Sequence, residues 1–244
     1  MQLFCLFEWS VDLEPLYKGL FEDVHRYFSK DNVYVLTING NAKFLSKEDE
    51  LRKAFDVTDK PVSIEIYSCV KDKSDPESGW QSYLCCGQRP SGQRELIFAT
   101  KDESMERENI IKLVEDLSKL GKLGYGFSFK TNSGLDGRYF ARGLSTTDST
   151  SLQRDVDSRW FNERLIFKGE EPAAKRRHLN GHFKDVFDYN IINGSHVSSL
   201  RSLTLSPETI GEIEELFNDT YLWIPNRSNA KKVRDSIVNN GLLI

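Results

Sequence analysis

An α+β fold, a largely antiparallel sheet with helices packed on it, is what this chain predicts, on three observations. Three strand-like runs at 61–70, 80–87 and 94–100 follow one another through turn-rich links, and runs joined in that way form an antiparallel meander. An amphipathic stretch comes next at 104–120, with Ile110, Ile111, Leu113, Val114, Leu117 and Leu120 along one side and charges elsewhere. The order of elements in the first half, β-α-β, a short helix, the meander, a helix and a strand, then lays helices on a sheet.

Residues 2–9, QLFCLFEW, are a compact apolar run that reads as a strand. Leu13, Leu16, Tyr17, Leu20, Phe21, Val24 and Phe28 recur at three- and four-residue intervals, which makes an amphipathic helix with His25 on its surface. Residues 32–38 carry β-branched side chains and read as a second strand. Asn39-Gly40, both tolerant of positive φ, then predict a hairpin or sharp turn. Ser46 with Asp49 three residues on resembles an N-cap over a short helix through Phe55. Along 61–70, Val62, Ile64 and Ile66 share a face predicted to be core, while Ser63, Glu65 and Tyr67 share the other. Gly121 ends the helix at 104–120 as a left-handed C-cap, and a strand at 125–130 follows.

Between 131 and 158 the composition turns to Ser, Thr, Gly and Asp. Such a stretch cannot bury enough apolar surface to offset its ordering cost, so it reads as a polar surface loop or linker with a brief strand at 138–141. It divides the chain into an α+β half at 1–130 and a smaller, mixed and mainly helical half at 159–244. In the latter, 160–168 reads as a strand and 175–189 as partly helical. A helix opens at Ser206-Pro207, with Ile210, Ile213, Leu216 and Phe217 on its apolar face. A short strand at 220–224 precedes a final helix from Asn226 or Ser228 through Asn240. Gly241 caps that helix, and the apolar Leu242-Leu243-Ile244 is expected to dock on the body.

The composition, 39% hydrophobic and 29% charged over 244 residues, is that of a globular chain able to bury a sizeable core. The formal net charge is −4, with Lys and Arg scattered, so a nucleic-acid ligand is not favoured, because phosphate binding leaves a basic footprint. The four cysteines, Cys5, Cys69, Cys85 and Cys86, form no C-x-x-C and suit a reducing compartment as buried thiols. Cys85 and Cys86 are neighbours on a strand and should point to opposite faces. No stretch approaches the ~20 apolar residues of a membrane span, and no basic n-region precedes the first apolar run. A cytoplasmic location is the expectation, with no cofactor and no metal.

The segment 176–196, RRHLNGHFKDVFDYNIINGSH, holds three of the four histidines. His178 and His182 have the i, i+4 spacing that can put two imidazoles on one helical face, but Leu179 stands where a metalloprotease carries its glutamate and Gly181 weakens the helix. Asp185 and Asp188 would share a face near His182 if the segment were helical, which allows a carboxylate-histidine acid/base set to be drawn. The plainer role for all four is a solvated face or a cap. Gly121, Gly124 and Gly126 lead into a strand, the wrong order for a dinucleotide turn, and no G-x-S-x-G elbow is present.

The run 181–193, GHFKDVFDYNIIN, followed by Tyr221-Leu222-Trp223-Ile224-Pro225 and by Asn240-Gly241-Leu242-Leu243-Ile244, resembles the tail of an uncharacterised bacterial α+β family over about the last seventy residues. In general outline, an acidic chain with a meander and flanking helices, the protein is also similar to cytosolic immunity proteins that neutralise bacterial toxins. That resemblance implies a non-enzymatic protein that binds another protein, a cognate toxin, by surface complementarity. Trp80, Tyr83, His182, Asp185, Asp188 and Tyr189 are the candidate partner-binding residues, the aromatics on condition that they are exposed, since interface hot spots favour Trp and Tyr. A homodimer is a further arrangement. The alternative function is a hydrolase or nuclease using His178 or His182 with Asp185 or Asp188.

Overall fold

The computed structural model describes residues 2–9, 33–38, 41–46, 49–50, 53, 63–69, 80–88, 94–101, 107–119, 123–131 and 179–243. The helix expected at 13–28, most of the polar stretch at 131–158, the strand expected at 160–168 and His178 lie outside the described residues. The described strands are β1 (Gln2–Trp9), β2 (Val33–Ile38), β3 (Asn41–Leu45), β4 (Ser63–Cys69), β5 (Trp80–Gln88), β6 (Arg94–Thr100), β7 (Leu123–Thr131), β8 (Tyr189–Asn193), β9 (Gly211–Phe217) and β10 (Thr220–Pro225). The helices are α1 (Arg107–Lys119), α2 (Gly194–Ser202), the single turn α3 (Pro207–Ile210) and α4 (Ala230–Asn239), the last entered through a 3₁₀ turn at Arg227–Asn229.

The fold is α+β, and the strands form an antiparallel sheet in the order β3-β2-β4-β5-β6-β1-β7-β8-β10-β9. β4, β5 and β6 are the expected meander, with Ile66 opposite Leu84 and Leu84 opposite Phe98. Ile38 pairs with Asn41 where β2 and β3 run antiparallel; Asn39 and Gly40, where the turn was expected, lie outside the described residues. β1 is inserted between β6 and β7, which places the start of the chain in the middle of the sheet. β8 pairs with β7 through Gly126 opposite Ile191 and Phe127 opposite Asn190. The segments on either side of the polar stretch therefore share one sheet.

Both faces of that sheet are core, whereas the alternation at 61–70 predicted one. Leu36, Ile66, Leu84, Cys86, Leu96 and Phe98 join Ile110, Leu113, Val114 and Leu117 of α1 on one face. Val35, Tyr83, Cys85, Ile97, Tyr125, Phe127 and Phe129 meet Phe183, Val186 and Phe187, Val197 and Leu200 of α2, and Val233 and Ile237 of α4 on the other. Cys85 and Cys86 fall on opposite sides, as neighbours on a strand must. Each fully buried aliphatic of α1 contributes about 1.5–3 kcal/mol, which holds the helix where propensity alone would not.

β7 alternates large and small: Tyr125, Phe127 and Phe129 point to the second face, with ring centroids 6.3 and 6.1 Å apart along the strand. Phe187 lies flat on Phe127 at 3.9 Å. This aromatic stack is the floor on which the segment after residue 179 is laid.

Four expectations change. The closing partner of Ser46 is Glu50, which accepts from its backbone N–H at 2.9 Å, and not Asp49. The helix expected from Ser206 lasts one turn: Ser206 caps it and Pro207 opens it, but Gly211, at φ +105, turns the chain into β9. Ile213, Leu216 and Phe217 are thus strand residues; β9 returns into β10 through Asn218 and Asp219, both at positive φ. Third, the described part of 175–189 carries no α-helix. There Asn190 bonds both the N–H and the C=O of Phe187, at 3.2 and 2.9 Å, taking the place of a helical partner. Fourth, α2 appears at 194–202, where no helix was expected.

The final helix ends as expected, while Ile244 lies outside the described residues. Gly241 sits at φ +69, its N–H bonds Val238 O and the Leu242 N–H reaches back to Ile237 O, which together close a Schellman cap. The Leu242 carbonyl then accepts the Phe183 N–H at 2.8 Å, and Leu242 and Leu243 pack against the second core.

Candidate functional site

The segment 179–196 is a structural hub before it is anything else. Asn193 caps α2 by accepting from the Ser195 and His196 N–H groups, and its amide donates to the carbonyls of Leu179 at 2.9 Å and Gly124 at 3.2 Å. It thereby ties the helix start to β7 and to the incoming turn. His196 is fully buried, stacked on Tyr125 and edge-on to Phe183. Its Nδ1 lies 2.9 Å from Asn193 Oδ1 and 3.3 Å from the Asn193 nitrogen, and its Nε2 donates to the His182 carbonyl at 3.1 Å. Asp219, from the β9–β10 turn, accepts the Gly194 N–H at 2.9 Å, an anion at the first turn of the helix.

Against this frame the sequence-derived candidates separate. Tyr83 is 2% exposed and its ring lies tilted against Tyr67 at 4.8 Å, so the condition set for an interface anchor is not met. Asp185 is buried too: its Oδ1 accepts from Arg234 Nε and from the Val186 N–H, each at 2.8 Å. Both residues lack the surface that recognition requires. His182 is half-buried, its Nδ1 3.4 Å from the Asn180 carbonyl, while its own carbonyl serves His196. The acid/base set drawn on His182 and Asp185 rested on a helix that the described residues do not form, and the Asp185 carboxylate is engaged by Arg234. Trp80 begins β5, paired with Cys69; His178 lies outside the described residues.

Asp188 and Tyr189 remain half-buried at the surface, and around them the chain gathers charges that the sequence does not bring together. Burial holds the Tyr189 phenol above its ordinary value, Asp188 adds to that, Arg227 and Arg107 oppose it, and Glu108 adds again. Arg107, at the start of α1, donates to Glu212 at 3.1 Å and Glu214 at 2.7 Å on β9. These pairs hold its guanidinium charged, with the Glu214 hydrogen bond the largest cause. Glu215, the next residue along β9, is exposed. β9 is the last strand in the order of the described strands, and Glu212 and Glu214 are exposed along it as well.

No family model and no curated protein matches this chain. The chemistry of the site therefore speaks for it. A phenol that stays protonated is a hydrogen-bonding aromatic and not a nucleophile at neutral pH. Among the described residues no group of three or more His, Cys, Asp or Glu is placed to hold a metal ion, and no helix is long and apolar enough to cross a membrane. What the patch offers is a half-buried tyrosine, two arginines and an acidic strand, side chains suited to contact with another polypeptide.

The raised phenol has a measurable consequence. A tyrosine whose folded value exceeds the unfolded one stabilises the fold below about pH 10 and loses that contribution as pH rises through the folded value. The phenolate absorbance component that disappears in Tyr189→Phe should titrate above about 10. A component at or below that value would show the phenol to be fully solvated.

Proposed function

We propose that this protein works in the cytoplasm by binding another protein, in the manner of an immunity protein that neutralises a bacterial toxin. The observation that carries the reading is the acidic strand β9, last in the order of the described strands, where Glu212, Glu214 and Glu215 are exposed and Glu212 and Glu214 bind the same Arg107 that acts on Tyr189. A net charge of −4 over the chain agrees in sign. A basic partner would be steered to such a strand, and its encounter would weaken as salt screens it. Tyr189 and Arg227 supply the residue types that anchor interfaces.

The test is recovery of a partner from the native host with the tagged chain at low salt. A basic polypeptide in stoichiometric amount is expected, and Glu212→Lys/Glu214→Lys/Glu215→Lys should weaken it by about tenfold or more while the melting curve holds. Absence of any partner, recovery of a second copy of this chain alone, or binding unmoved by the charge reversal sinks the reading. If the partner is harmless to cells lacking this chain, binding stands and the immunity role falls.

A further inference from the structure

Of the Asn-Gly steps at 39, 180, 193 and 240, the last two lie in opposite settings, and their contrast points to a modification; at Asn180-Gly181, a Cβ on Gly181 would meet Ser199 Oγ and the Ser195 carbonyl. In such a step the glycine has no Cβ to obstruct approach of its nitrogen to the asparagine side-chain carbon. Asn240-Gly241 is fully at the surface where α4 ends, and a Cβ built on Gly241 meets nothing within 4 Å. Among the described residues, the ties on the reacting groups are Asn240 Nδ2 to Ser236 O at 2.8 Å and Gly241 N–H to Val238 O at 2.9 Å, both within the last turn of the helix. Terminal turns open at little cost. Asn193-Gly194 is the reverse: Asn193 is buried, its amide holds two carbonyls, and the Gly194 N–H is bound to Asp219.

We propose that Asn240 is a site of spontaneous covalent modification that loosens the C-terminal strap. The Gly241 nitrogen bonds to Asn240 Cγ, the Cγ–Nδ2 bond breaks, and the amide leaves as ammonia with the proton that the glycine nitrogen gives up. The resulting five-membered imide is opened by water at either carbonyl, giving aspartate or isoaspartate. Either product puts a negative charge at the C-terminal end of α4, where the helix dipole opposes it. Isoaspartate also lengthens the backbone immediately before Leu242, whose N–H and carbonyl hold the strap to Ile237 and Phe183.

The full chain aged at mildly alkaline pH and mapped by peptide mass should show the amide-to-acid gain at Asn240 at least about a hundredfold faster than at Asn193, as expected for a fraying end against a buried cap. The peptides holding Asn39-Gly40 and Asn180-Gly181 are scored separately. Gly241→Ala should slow the reaction, and in Asn240→Asp the Phe183 amide should exchange its hydrogen faster than in the parent. Equal rates at 193 and 240, or no gain at 240 while the denatured chain converts at both, overturns the site. An unchanged Phe183 amide in both Asn240→Asp and the isolated isoaspartate form overturns its effect on the strap.

Discussion

Arg234→Met should destabilise the protein by about 3–5 kcal/mol, because it leaves a carboxylate in the interior without its guanidinium. The Asp185 side chain is 2% exposed and that of Arg234 10%, with Nε and Oδ1 2.8 Å apart. The pair joins α4 to the segment that carries Phe183, Val186 and Phe187 into the second core. A buried ion pair is costly to assemble, so its presence says little about net stability; breaking one half is what costs. Asp185→Leu/Arg234→Met should therefore recover most of the loss, or exceed the parent by about 1–4 kcal/mol. Urea unfolding of the parent, both single variants and the double variant reads this directly as a coupling energy. A loss below about 1 kcal/mol in Arg234→Met, the size of an exposed pair, would show that water reaches Asp185.

The same pair shows where sequence reasoning meets its limit. Asp185 was legible as a residue of interest, but its role depends on a partner 49 positions away that only the fold brings near. Tyr189 and Asp188 were picked for residue type and do reach the surface; Arg107 and the glutamates of β9, which define their surroundings, lie on distant parts of the chain. Strands were easier. Period-two alternation and the turn residues around the meander located 94–100 to the residue, since each strand there carries its own pattern.

The tail was harder for a physical reason. Ile210, Ile213, Leu216 and Phe217 fit a helical stripe, yet Gly-Glu-Ile-Glu-Glu-Leu-Phe also fits a strand with an irregularity near its turn. Local spacing cannot decide between these, and pairing with β10 does. α2 was missed because among its residues only His196, Val197 and Leu200 are buried; its start is fixed by Asn193 and Asp219 and not by an apolar stripe.

That ambiguity comes down to one glycine, and Gly211→Ala should cost about 2–6 kcal/mol. At φ +105 and ψ −164, Gly211 occupies a region open in practice to glycine alone, worth about 1–3 kcal/mol of strain for any other residue. A Cβ there would also run into the Ile224 carbonyl oxygen and come within 2.6 Å of the Asn226 nitrogen, both backbone atoms with no rotamer to escape through. Forcing them apart adds about 1–3 kcal/mol and strikes at the junction where α3 becomes β9 and β10 runs into the final helix. For a chain of this size the sum lowers Tm by roughly 4–24 °C. Gly241→Ala is the control: its φ of +69 is also positive, but open space surrounds the added atom, so only the conformational cost of about 1 kcal/mol applies. Thermal melts of the two variants separate collision from backbone preference, and equal shifts would mean that β9 does not approach the end of β10 as closely as the structure places it.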